Sequence, residues 1–193
     1  MDNQELINEI ENWQTILSSN HFNAQIIELA FFKIFVKFEK LLTTSFIHYA
    51  IGKRSILNFK PKRKLGFKNI KHLENILTSP YSTFIDYPKI LVKKAENIFD
   101  DNQNPFDVLF SDAKFADNYR KMQIIRNHIA HESPESFVKF YNKVLNSYGI
   151  REQISVSDFL NKPMKNGNSY YSFYITIIRD YSKILLDPMP YIS

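Results

Sequence analysis

Apolar residues recur at intervals of three and four along most of this 193-residue chain, the spacing that lines one face of an α-helix. Leu6, Ile10, Trp13, Ile16 and Leu17 predict a short amphipathic helix over residues 5–17. The stretch from Asn20 to Asn23 supplies a break and a cap. Ile27, Phe31, Ile34, Phe35, Phe38, Leu41, Leu42, Ser45 and Phe46 predict the longest helix, from about Ala24 to Ile51, stopped at Gly52. Two shorter helices are expected over 69–78 and 88–99, separated by Ser79-Pro80, and the turn-rich stretch from Asp100 to Pro105 follows. A helix from about Asp112 then carries the apolar run Met122-Gln123-Ile124-Ile125. Ser133-Pro134-Glu135 has the chemistry of a helix start, a serine cap with proline in the first turn, and predicts a new helix running to Gly149. Residues 155–161 are too short for their period to decide, 162–168 read as a polar loop, and 169–186 as an aromatic-rich helix.

No sustained alternation of the strand type appears, and no internal repeat. The expected fold class is all-α, a single bundle of several antiparallel helices over residues 1–193. Its core lies at about 24–150, with an N-terminal helix in 1–23 and a helical extension in 151–193.

Composition narrows the chemistry. With Phe 17 and Tyr 11, the chain has ample material for a buried core, which argues against disorder. Cys 0 removes disulfides, thiolate zinc sites and a cysteine nucleophile. The opening Met1-Asp2-Asn3-Gln4-Glu5 is unlike a secretory leader, and Lys33, Lys37, Glu39 and Lys40 interrupt the richest apolar stretch. These features predict a cytoplasmic protein with no membrane partner. Net charge is +5, but it is localised. No acid lies between Glu39 and Glu74, an interval holding Lys40, Lys53, Arg54, Lys60, Lys62, Arg63, Lys64, Lys68 and Lys71, so the remainder of the chain is net acidic. Gly52, Pro61 and Gly66 mark this interval as a loop, and its charge suits a polyanion.

The candidate chemistry sits in Arg126-Asn127-His128-Ile129-Ala130-His131. A guanidinium grips phosphate through its planar fork of donors, and an imidazole moves a proton near neutral pH; cleaving a phosphodiester needs both. On a regular helix Asn127 and His131 share a face, with His128 beside them, whereas Arg126 lies five residues before His131 and well round the helix. Bringing Arg126 and His131 to one phosphate therefore requires a backbone bend near the motif or a second copy of the chain across a two-fold axis.

Arg126-Asn127-x-x-x-His131, near the end of a helix in an all-helical chain, resembles the Arg-x(4–6)-His motif of the HEPN superfamily, in the form common among its defence-associated members. The resemblance extends over about 24–150 in helical pattern, with six specific residues. It implies a dimeric helical bundle and a metal-independent endoribonuclease, with no cofactor and the motif at the dimer interface. Members act as toxins, abortive-infection effectors or CRISPR-linked ribonucleases, and others are inactive binding scaffolds. Members paired with a nucleotidyltransferase antitoxin often continue as His-x-Tyr; Ser133 stands there instead, which weakens that partnership while leaving an antitoxin or other defence partner open.

Carried onto this chain, His131 acts as general base or acid, Arg126 holds the scissile phosphate, and Asn127 orients one of them. His128 is a candidate second proton carrier, and Glu39 a candidate partner for Arg126 or a histidine. Lys53, Arg54, Lys60, Lys62, Arg63 and Lys64 form a candidate RNA clamp, with Phe59 or Phe67 available to stack on bases.

Blander readings stand beside these. Arg and His at a helix end can simply satisfy terminal carbonyls, Glu39 can be a solvent-facing charge, and lysine-rich loops are often only solvated. His48 reads as structural, and His21 and His72 carry no signal. The aromatic stripe Tyr170, Tyr171, Phe173, Tyr174 and Tyr181 reads as core or dimer surface. The competing functions are an inactive RNA- or protein-binding module and a purely structural helical adaptor.

Overall fold

A computed structural model describes residues 1–19, 24–67, 71–73, 89–100 and 103–189. Residues 71–73 are helical, and the helices with described bounds are α1 (Gln4–Ser18), α2 (Ala24–Ala50), α3 (Lys89–Ile98), α4 (Pro105–Phe110), α5 (Ala113–His131), α6 (Pro134–Phe140), α7 (Val156–Asn161) and α8 (Tyr170–Leu186). No strand occurs among the described residues, only two isolated bridges, Arg63 with Phe99 and Pro163 with Ser169. The chain is all-α, as its periodicity predicts. The expected break at 20–23, most of the expected helix over 69–78 and the Ser79-Pro80 separator lie outside the described residues. So do Lys68, His21 and part of the turn-rich stretch at 101–102.

The helix boundaries follow local chemistry. Gly52 takes φ +80, the left-handed conformation that ends α2 without a Cβ penalty. Asn104 caps α4 by accepting from Phe106 N at 3.1 Å, with Pro105 in the first turn. Asp112 Oδ1 accepts from Lys114 N at 2.7 Å at the start of α5. Beyond α6 the chain keeps its helical path but changes winding, through a π turn at Tyr141–Leu145 and a 3-10 turn at Asn146–Tyr148, ending at Gly149 with φ +73. The wider π turn lets Val144 and Leu145, adjacent in sequence, both enter the core.

Contacts divide the chain into two compact units. The first comprises 1–3, 39–116 and 180–193. In it Phe46 meets Phe99 edge-on at 5.7 Å and Phe106 at 5.4 Å, and Tyr49 meets Phe59 edge-on at 5.6 Å. Buried hydroxyls find acceptors: Tyr49 donates to Leu185 O at 2.5 Å and Ser55 to Leu186 O at 2.7 Å.

The second unit comprises 4–38 and 117–179. Phe31, Phe35 and Phe38 on α2 pack with Tyr119 of α5 and Tyr174 of α8, with Phe35 and Tyr119 5.5 Å apart. Phe159 stacks on Tyr170 at 4.5 Å and meets Phe140 edge-on at 5.7 Å. Glu28 Oε1 accepts from Ser157 N at 2.7 Å, fastening the start of α7 to α2. Tyr170, Tyr171 and Tyr174 are buried here, Tyr181 is buried in the first unit and Phe173 is half-buried, so the tyrosines of the aromatic stripe are core.

Candidate functional site

The motif occupies the last turn and a half of α5. Tyr119, Met122 and Ile125, three residues apart, are fully buried and hold the helix down, leaving 126–129 half-buried and Ala130 and His131 exposed. The winding stays α through His131. Glu132 then takes φ +46, unusual for a side chain of its length, and its N–H bonds back to His128 O at 2.9 Å. Ser133 at once starts α6 with a capping box: Ser133 Oγ accepts from Ser136 N at 3.2 Å and Ser136 Oγ from Ser133 N at 3.1 Å. Pro134 fills the first turn, as the sequence suggests.

Arg126 Nη1 donates to Asn127 Oδ1 at 2.6 Å, and the guanidinium carbon stands 6.0 Å from the centre of the Phe35 ring. The arginine is thus oriented by its own neighbour and by an aromatic face. His131 lies one turn on from Asn127, on the same face and exposed to solvent. Since the α winding is unbroken, Arg126 and His131 remain about 140° apart around the helix axis.

His128 is engaged elsewhere. Its Nδ1 lies 2.8 Å from Ser136 Oγ, and its ring stacks on Phe140 at 5.5 Å. The serine hydroxyl has one proton, and the 2.7 Å contact to Ser133 O accepts it. Ser136 Oγ must then accept from the ring, which places the imidazole proton on Nδ1 and the lone pair on Nε2. Burial pushes the His128 pKa below its usual value, against the opposing pull of Glu28 and Glu132, so the ring is neutral at pH 7. His128, Glu28, Glu132 and Phe137 line a cleft of about 390 Å³ together with residues 153–156. Ser136 and the two glutamates are participants that the motif by itself did not reveal; the serine spacing after His131 was the available clue. Among the described residues no group of three or more His, Asp or Glu side chains is placed to hold a metal ion.

Glu39 is half-buried on α2, its carbonyl accepting from Thr43 Oγ1 at 3.1 Å. It belongs to the first unit, whereas Arg126, Asn127, His128 and His131 belong to the second.

The basic loop is more ordered than a solvated tether. Lys64 N bonds to Ile98 O at 2.8 Å and Asp100 N to Lys62 O at 3.0 Å, joining it to the end of α3. Of its six expected phosphate contacts, Lys53, Arg54, Lys60, Lys62 and Lys64 are exposed and Arg63 is half-buried. Arg63 Nη1 instead caps α2 through Ala50 O at 2.8 Å, Arg54 Nη1 donates to Asn58 O and Oδ1 at 3.2 and 3.0 Å, and Lys64 Nζ donates to Glu96 O at 3.1 Å. Lys60, Lys62, Lys64, Leu65 and Asp100 border a cleft of about 490 Å³. Phe59 is 8% exposed and packed on Tyr49, so it cannot stack on a base; core packing outweighed any role at the surface. Phe67 is half-buried, 6.1 Å from the His72 ring.

No family model, no curated protein and no solved structure matches the chain. No helix among the described residues is long and apolar enough to cross a membrane.

Proposed function

We propose that this chain is a metal-independent endoribonuclease of the HEPN type that works as a homodimer, in the role of a toxin or antiviral effector. The observation that carries the reading is the Arg126 guanidinium held by Asn127 on an unbroken helix that ends in a solvent-exposed His131. The arginine supplies a fixed cation for a phosphate, and the histidine a proton acceptor.

In the reaction, His131 takes the proton of a ribose 2′-OH and O2′ attacks the adjacent phosphorus. The P–O5′ bond breaks, and the departing O5′ takes a proton from an imidazolium. Arg126 neutralises the charge growing on the phosphate oxygens. The products are a 2′,3′-cyclic phosphate and a 5′-hydroxyl, and DNA, lacking the 2′-OH, is not cut. The angular separation of Arg126 and His131 on one helix favours a composite site, with arginine from one copy and histidine from the other. His128, neutral and tied to Ser136, is assigned a positioning role between α5 and α6. The exposed Lys53, Lys60 and Lys62 offer sequence-independent attraction to a polyanion.

The test is cleavage of RNA in excess chelator by the wild type, Arg126→Ala and His131→Ala, with end-group analysis of the products. Wild-type inactivity, or activity surviving both substitutions, would overturn the proposal. Mixing the two inactive variants should restore about a quarter of wild-type activity, because half of the dimers are mixed and each of these rebuilds one site of two. Salt-sensitive RNA binding without a cyclic-phosphate product would leave the inactive binding module in its place.

A further inference from the structure

Residues 55–59 form a tight turn whose tip is apolar. Asn58 N bonds to Ser55 O at 2.9 Å and Ser55 N to Phe59 O at 2.9 Å, and Asn58 takes φ +65. This is the three-residue hairpin loop in which a β-turn is followed by one left-handed residue. Its two central positions normally hold Gly, Pro, Asn, Asp or Ser. Here they hold Ile56 and Leu57, 69% and 59% exposed, the two most exposed large hydrophobic residues described. Leu65, further along the same loop, is 51% exposed.

The turn is held from several sides. Ser55 Oγ donates to Leu186 O at 2.7 Å and accepts from Phe59 N at 3.2 Å, Ile56 N bonds to Met1 O at 2.8 Å, and Arg54 Nη1 bonds across the turn to Asn58. Phe59 anchors the turn in the core against Tyr49. Two aliphatic side chains are therefore projected by a fixed scaffold, with Lys53, Arg54 and Lys60 within four residues of them and no acid anywhere from 40 to 73.

We infer that the Ile56–Leu57 turn is a membrane-surface anchor, which seats its two aliphatic side chains at the acyl boundary of an anionic bilayer while the surrounding lysines meet the lipid headgroups. Other occupants fit less well. A stable protein interface needs on the order of 800 Å² from each partner, more than a two-residue tip offers. RNA would use the lysines, but phosphate gains nothing from Ile and Leu, and Phe59, the aromatic side chain next to the tip, is buried. An anionic bilayer uses both features at once, the pairing of an apolar anchor with a basic patch that holds a peripheral protein on a membrane more firmly than either alone. No helix among the described residues is long and apolar enough to cross the bilayer, and the anchor is independent of the ribonuclease activity proposed above.

The test is co-sedimentation with vesicles of phosphatidylcholine alone and of phosphatidylcholine mixed with phosphatidylserine, at physiological salt. The full chain is compared with Ile56→Ser/Leu57→Ser and with Lys53→Gln/Lys60→Gln/Lys62→Gln. The wild type is expected to bind the anionic vesicles selectively. The aliphatic double variant should lose at least about tenfold in partitioning, given the apolar area withdrawn from water. The lysine variant should lose about fivefold per charge removed. A Leu57→Trp variant should show a blue shift with anionic vesicles beyond any change from Trp13 in the wild type. Absence of vesicle binding would overturn the inference. So would full binding by the aliphatic double variant, which would reduce the loop to a non-specific polyanion surface. Loss of RNA binding rather than vesicle binding in that variant would assign the tip to RNA.

Discussion

Replacing Ser136 with alanine removes a hydroxyl shared by three groups. Its oxygen accepts from Ser133 N at 3.1 Å and from the His128 ring at 2.8 Å, and its proton goes to Ser133 O at 2.7 Å. Ser136 N keeps its acceptor, Ser133 Oγ, so only the reciprocal half of the capping box is lost. That half is placed at the low end of the range for cap substitutions, about 0.5 kcal/mol. Losing the bond to a half-buried imidazole adds about 0.5–1.5 kcal/mol. The expected loss is about 1–2 kcal/mol, or about 2–8 °C in melting temperature for a chain of this size. Urea denaturation followed by circular dichroism measures the total. A double-mutant cycle with His128→Phe isolates the hydrogen bond, because phenylalanine keeps a flat ring against Phe140 while removing both nitrogens. A coupling of about 0.5–1 kcal/mol is expected. Effects that add within about 0.3 kcal/mol, or a Ser136→Ala chain as stable as the wild type, would refute this network and the Nδ1–H tautomer assigned from it.

Three further outcomes follow from the geometry. Asn127→Ala removes the Nη1 acceptor that orients Arg126 while leaving the guanidinium in place, so RNA cleavage should fall about 10-fold, well short of the loss from Arg126→Ala; equal losses in kcat/KM would give Asn127 a direct role. Burial lowers the pKa of both His128 and His48, so the unfolded chain binds more protons near the ordinary value of about 6.5. Unfolding free energy should therefore decline as pH falls through that value and level off below the folded-state pKa values, with His128→Phe flattening the slope in denaturation series between about pH 8 and pH 5.5. Gly52→Ala meets both a left-handed backbone and the Arg63 guanidinium, whose Nη2 would lie 2.6 Å from the new Cβ. It should cost about 1–3 kcal/mol by thermal denaturation, from backbone strain and from displacing Arg63 off Ala50 O, and less than the sum when combined with Arg63→Ala.

The linear order of residues carried local information. Helical periodicity named the long helices, because a 3.6-residue repeat of apolar side chains requires nothing beyond the segment itself. Gly52 and Ser133-Pro134 marked boundaries for the same reason: a left-handed stop and a capped start are properties of a few consecutive residues. The candidate site was legible to the same depth, since helix geometry alone put Asn127 and His131 on one face and Arg126 away from them. Residue type also named the phosphate-gripping and proton-moving groups, but not their partners.

Packing between segments set which side chains turned inward and what they met. Phe59 and Arg63 read as surface groups in a basic loop, yet one packs on Tyr49 and the other caps α2. His128 read as a candidate second proton carrier beside His131, but its ring lies against Phe140 and Ser136 while His131 remains exposed. A strict period also concealed the π turn at 141–145, because Phe140, Val144 and Leu145 fit a helical repeat before the core dictates the winding. Ile56 and Leu57, apolar and unremarked in the sequence, became the exposed tip of a braced turn only once Ser55 and Phe59 were fixed beneath them. Burial and hydrogen bonding between distant residues depend on free energy released when separate segments meet, and a linear pattern does not encode where that meeting occurs.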